Sequence, residues 1–227
     1  MELIRRFGTI IVWLLIGFIG LTGVFAHFLL PDQTYAEIVR IFSESVYQQE
    51  LALAESPIAN NYHRILGLAF FVVGMLQFNR GLRTKKPTFH RWCGRVYILL
   101  ALVVIVTASI LALRHAFAGM FETVSTLVIN GFFCVFVLLG FFYGRRKNFR
   151  SHRNYMIRGF AVALFVAFQR PYFFSGLLFL NLPAEMLFII SGVAALFSSV
   201  LAAELWIWLS KDHHRLTPPR LQKPQSK

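Results

Sequence analysis

Pro87-Thr-Phe-His-Arg-Trp-Cys-Gly-Arg-Val-Tyr97 stands directly before an apolar run, residues 98–113, that contains no charged side chain. The stretch carries a histidine, two arginines and a tryptophan. Basic and aromatic residues of this kind gather where a membrane helix leaves the cytoplasmic surface. A second stretch echoes it: Ser151-His-Arg-Asn-Tyr-Met-Ile-Arg158, again running into an apolar segment. Reading both as the entrances of membrane helices decides the fold. The expectation is an all-α integral membrane protein, a bundle of six transmembrane helices plus one outer amphipathic helix.

Composition agrees with that reading. Of the 227 residues, 57% are hydrophobic and only 15% charged, against roughly a quarter charged in a soluble domain. The apolar residues fall in blocks, which indicates several spans rather than one large globular core. The net charge of +13 does not imply nucleic acid as a partner, because the positive residues lie in short segments between apolar runs. Cys93 and Cys134 form no disulfide framework and read as free thiols.

Residues 1–30 form the first span, with Gly17, Gly20 and Gly23 at three-residue intervals. A cleaved signal peptide ending at Val24-Phe-Ala26 is the rival, although the apolar stretch exceeds the usual ~7–15 residues. Residues 31–61 hold five acids and one base, Arg40. Tyr35, Ile38, Val39, Phe42 and Val46 recur at helical spacing, and Thr34-x-x-Glu37 resembles a capping box. One amphipathic helix, ended by Ser56-Pro57, is expected on the outer surface, as a packed connector or a lid.

Residues 62–180 carry spans two to five. The apolar part of the second runs only over residues 65–78, about 21 Å of helix, short of the ~30 Å hydrocarbon core. The missing length must come from the outer side, drawing in Asn60, Asn61, Tyr62, His63 and Arg64. Gly67 and Gly74, one heptad apart, suit a tightly packed face. A basic loop over 80–95 precedes the third span at 96–113. The fourth covers 122–143, and the fifth runs from about 155 to 180, interrupted at Gln169-Arg170-Pro171. Residues 181–210 form the sixth, and 211–227 a basic tail. With both termini in the cytoplasm, all 23 Lys and Arg except Arg40, Arg64, Arg114 and Arg170 fall in inner segments. This satisfies the positive-inside rule and fits a bacterial cytoplasmic membrane, with anionic lipids against the inner face.

Depth decides which polar residues meet. Arg170 lies about 21 Å up the fifth span from Met156, near the depth of His63. An arginine there costs at least ~2.5–3.5 kcal/mol and must face protein, water or an anion. One candidate site is therefore outer: His63, Arg170 and His115, with Glu122 at its mouth. The other is inner: His90, Arg91 and Arg95 against His152, Arg153 and Arg158, with Glu204 as a partner for Arg158. Arginines and helix N-termini both suit an anion, such as a lipid phosphate.

Histidines near both faces of a helical bundle point to haem b, with axial ligands from different helices. The pairs are His63 with His115 outside and His90 with His152 inside, and arginines meet the propionates. Against this, His90 and His115 are about 37 Å apart on one helix, so at least one lies in the headgroup zone. A quinone or another small molecule suits the same polar site. The other readings are a proton path through His63, Arg170 and Glu204, and a non-enzymatic transport, lipid-binding or assembly protein.

His63 with Gly67, Gly74-x-x-Gln77-Phe78-x-Arg80, Pro87-x-x-His90-Arg91-x-x-Gly94-Arg95-x-Tyr97, His152-Arg153-x-x-Met156-x-Arg158 and Arg170 together resemble a large bacterial family of multi-pass membrane proteins, domain of unknown function 2306. The likeness covers residues 62–171. It implies a membrane location and a shared design for His63, His90, His152 and Arg170, into which His115 fits less well. It implies no particular activity. The likeness to diheme transmembrane cytochromes b is architectural only.

Overall fold

The structure, a computed structural model, describes residues 30–212. The expected first span and the basic tail lie outside the described residues, as do the side chains at 57–59, 80, 211 and 212. In chain order the helices are α1 (Asp32–Arg40), α2 (Glu44–Ala54), α3 (Pro57–Phe78), α4 (Arg80–Lys85), α5 (Pro87–Arg114), α6 (Gly119–Arg145), α7 (Phe149–Ala163), α8 (Phe165–Phe179) and α9 (Ala184–Asp212). No strand occurs among the described residues.

Four segments are long and apolar enough to cross a membrane: α5, α6, the α7–α8 pair over Phe149–Phe179, and α9 over Ala184–Ser210. Their outward faces are hydrocarbon-like. Leu99 is 64% exposed, Phe132 58% and Phe197 76%, a pattern no water-soluble surface tolerates over such an area. The α3 helix packs along α5 but is not among those four. It is 22 residues long, about 33 Å, because it begins at Pro57 and takes in Asn60 to Arg64, as the length argument requires.

Neighbours in the bundle follow from short connections. The α3, α5, α6 and α7 helices pack in that order, and α9 lies against both α7 and α8. The core between the first four is aromatic: Phe70, Tyr97, Phe133 and Phe160, with Ala101, Val137 and Met156. Phe70 and Tyr97 are 4.7 Å apart between ring centroids, and Phe70 meets Phe133 edge-on at 5.5 Å. Gly74 lets α3 approach this cluster, since a Cβ there collides with the Phe160 ring. Gly74→Ala is expected to lower stability by about 1–3 kcal/mol, read as a lower unfolding temperature in detergent. Beside Gly67, by contrast, no described residue comes within 4 Å of an added Cβ.

Several boundaries depart from the sequence expectation. The acidic segment forms two helices, not one. Thr34 is no cap: α1 begins at Asp32 behind Pro31. The chain turns over 41–43, and Ser43 caps α2 by accepting from the Val46 N–H. Pro57 opens α3 instead of closing the helix before it, since a proline at the first helical position loses no hydrogen bond. The basic stretch over 80–95 is helical almost throughout, so His90, Arg91 and Arg95 sit on α5. The fifth span breaks at Leu164, while Pro171 lies inside α8. A proline disturbs the turn before it, and the chain yields further upstream, where Ala167 N–H bonds back to Leu164 C=O at 2.9 Å.

Candidate functional site

The residues expected at the inner face converge. A cavity of ≈ 1300 Å³ opens at the end of the bundle where α5 and α7 begin. Arg83, Arg91, Arg95, Arg145, Arg150 and Arg153 line it, and no carboxylate does among the described side chains. Tyr97, Ile98, Phe141 and Met156 line it deeper in the bundle. The result is an amphiphilic hollow, cationic at the mouth and largely apolar below.

His90 and His152 line this cavity from two different helices. His152 is held firmly: its Nδ1–H donates to the Gly140 carbonyl at 2.7 Å. That bond leaves Nε2 as the nitrogen available to a ligand. The ring fits only because position 144 is glycine, since a Cβ there comes within 2.9 Å of Nδ1. The His90 carbonyl accepts from Gln77 Nε2 at 3.3 Å, which ties α5 to α3. Its own Nδ1 is buried and has no hydrogen-bond partner among the described residues, and the same is true of the Tyr97 hydroxyl.

Arg95 takes its expected place, and Arg158 meets its expected partner away from the cavity. Arg95 lines the cavity, with its guanidinium 4.6 Å from the Trp92 ring centroid. Arg158 does not line it. Arg158 and Glu204 form a two-pronged ion pair between α7 and α9, on the side of the bundle, with Nη2 3.0 Å from Oε2. Cys93 and Cys134 are both free.

At the opposite end, the expected outer cluster is split. His63 Nδ1 lies 3.0 Å from Thr107 Oγ1. The threonine proton is directed to the Val103 and Val104 carbonyls, so the histidine is the donor. His115 instead meets Ser56 Oγ at 2.7 Å through Nε2, and its carbonyl accepts from Gln49. Thr107 lies on α5 and His115 caps its C-terminus eight residues on, so the two histidines sit about 12 Å apart in depth. One iron cannot join them.

Arg170 faces Tyr35, Glu50 and Glu122 electrostatically. Glu122 caps the start of α6 by accepting from Ala118 N–H at 2.8 Å. Arg64, a site neighbour in the sequence, bonds Asp32 at 2.9 Å and Asn60 at 3.1 Å, pinning α1 to α3. Burial raises the Glu50 carboxyl above its ordinary range, and Arg170 and Arg64 pull it partly back. An acid whose folded pKa is raised stabilises the fold at low pH, and that contribution is lost as pH rises through the raised value. Glu50→Gln is therefore expected to flatten the fall in melting temperature between acidic and neutral pH, measured by thermal unfolding across that range.

Sequence reasoning gave Tyr97, Gln77, Gly140 and Gly144 no site role. The signal for Tyr97 was present, since positions 90, 94 and 97 share one face of a helix. Among the described residues no group of three or more His, Cys, Asp or Glu is placed to hold a metal ion. A haem held by two histidines is not such a group.

Apolar helices around an aromatic core, with a cationic, histidine-bearing hollow at one end, define a multi-pass helical membrane protein. The chain belongs to the predicted membrane protein family DUF2306, whose model matches residues 61–207. The match extends past the resembling segment into α9 and so includes Glu204. No curated protein and no solved structure matches the chain.

Proposed function

We propose that this protein crosses the cytoplasmic membrane six times, with both termini inside, and holds haem b in the arginine-lined cavity for transmembrane electron transfer. The six spans are the four apolar segments, α3, and the first apolar run of the sequence. The distribution of Lys and Arg supports a cytoplasmic position for the cavity.

One observation carries the haem assignment: His90 and His152 line the same cavity from different helices, beneath a mouth of arginines. Ligating histidines usually give their second nitrogen to a carbonyl or carboxylate, and His152 does so with Gly140. Arginines pair well with carboxylates such as the propionates. The apolar side chains below would shield the ring from water. Bound haem would supply one-electron chemistry. His90 and His152 would set its orientation, and the arginines would favour a ligand carrying negative charge at its edge. The separation of His63 from His115 gives no support to a second haem at the outer end.

A second reading rests on the number of arginines. Six cations exceed what two propionates neutralise, and the inner leaflet offers anionic phosphates. A non-enzymatic lipid-binding or transport protein would use the same mouth. The visible spectrum of detergent-purified protein from haem-replete cells separates the two. A Soret band that sharpens on dithionite reduction is the expected result. A colourless protein that retains bound phospholipid would end the cytochrome reading.

A further inference from the structure

We infer that the deep part of the cavity is a separate hydrogen-bonding site for the carbonyl oxygen of a quinone head group, with the Tyr97 hydroxyl as donor. The inference rests on the cavity being a ligand site, but not on haem.

Tyr97 is 0% exposed and lines the cavity. Its hydroxyl has no partner among the described residues. A hydroxyl buried in that state costs about 1–3 kcal/mol. Packing does not require it, because the ring sits among Phe70, Phe133 and Phe160, where a phenylalanine would fill the same place. An acceptor atom entering the cavity beside the hydroxyl would recover that cost.

The surroundings narrow the acceptor. Ile98, Phe141 and Met156 line the cavity at this depth and are apolar, while the polar Gln77 beside Gly94 donates its amide to the His90 carbonyl. The arginines that suit a phosphate or carboxylate lie nearer the mouth. Carrying a bare charge to the deep end would be costly without a paired cation. A neutral carbonyl on an apolar body, drawn from the bilayer, meets these conditions.

Shape points the same way. Gly94 lies between Tyr97 and His90 on one face of α5, and a Cβ there would meet only Gln77 Oε1, at 3.4 Å. A flat ring can therefore lie against that helix. His90 Nδ1 is the second buried, unpartnered polar atom lining the cavity. His90 is one heptad from Tyr97, about 10 Å of helix rise towards the mouth. Because the cavity exceeds the ~300–1,000 Å³ of an ordinary ligand site, this ring and an occupant nearer the mouth can both be accommodated.

Titration calorimetry of the full chain in detergent, with duroquinone as the probe, tests the assignment. The wild-type protein is expected to bind, and Tyr97→Phe to bind about tenfold more weakly, the loss of one hydrogen bond. The Phe variant keeps the ring packing, so its melting temperature is expected to stay at or above the wild-type value. His152→Ala is expected to retain duroquinone binding even where it removes colour, which separates this site from the haem. Equal binding by wild type and Tyr97→Phe would overturn the inference. So would no binding by the wild type, or displacement of duroquinone by inorganic phosphate.

Discussion

His152→Ala protein, purified in detergent, is expected to lose its Soret band and reduced absorption bands completely, while His63→Ala and His115→Ala keep theirs. The contrast follows from what each imidazole is doing. His152 is anchored through Nδ1 to the Gly140 carbonyl, an arrangement that prepares Nε2 for a metal. His63 is likewise anchored through Nδ1, to Thr107, but its expected partner His115 is engaged with Ser56 through Nε2 and lies about two turns of helix away in depth, so the two do not share one iron. Gly144→Ala extends the test without touching a ligand. The added Cβ comes within 2.9 Å of the His152 ring and must push it off its bond to Gly140. Haem occupancy is expected to fall about 10–100-fold, the usual cost of disturbing a ligand's outer support. Retained colour in His152→Ala, with loss in His63→Ala, would move the haem to the opposite end and reverse the assignment.

Much of this architecture is legible in the sequence, for reasons that apply unevenly along the chain. Apolar runs such as residues 98–113 declare themselves, because a bilayer demands about 20 apolar residues whatever they pack against. The inner cluster was readable as well, because His90 and His152 each open a long helix, and helix ends at one face must be near one another. The pairing of Arg158 with Glu204 was also anticipated from depth alone. Counting residues supplies depth only to within a turn or two. His63 and His115 are both outer residues, but His63 meets α5 at Thr107, eight residues before His115, because side-chain packing sets the register between α3 and α5. Pro171 is the obvious breaker in the sequence, whereas the chain yields at Leu164, where packing permits. The segment from 31 to 61 reads as one amphipathic helix because its apolar spacing continues through the turn at 41–43. Tyr97 was overlooked because a tyrosine at the edge of a span is normally interfacial, and only the surrounding core shows it fully buried.

Removing either Arg158 or Glu204 alone is expected to destabilise the protein by about 2.5–3.5 kcal/mol, and removing both to cost far less. The pair bridges α7 and α9 on the side of the bundle, with the arginine side chain 31% and the glutamate 45% exposed. In a soluble protein such exposure would make the pair nearly worthless. Here Glu204 lies about 9 Å inside the end of the α9 span at Ser210, counting 1.5 Å per residue. A charge that loses its counter-charge at that depth is costly. Arg158→Met takes the guanidinium from Glu204, and Glu204→Leu takes the carboxylate from Arg158. The double variant removes both charges and is expected to unfold near the wild-type temperature, or above it, as apolar replacements of enclosed ion pairs often do. The charge-swapped protein, Arg158→Glu with Glu204→Arg, is expected to recover most of the stability either single change loses. Thermal unfolding of all four variants in one detergent gives the coupling directly. Additive losses would mean the two groups do not depend on each other. Strong coupling with duroquinone binding and the visible spectrum unchanged in the double variant would identify the pair as the clamp between α7 and α9, separate from the cavity chemistry.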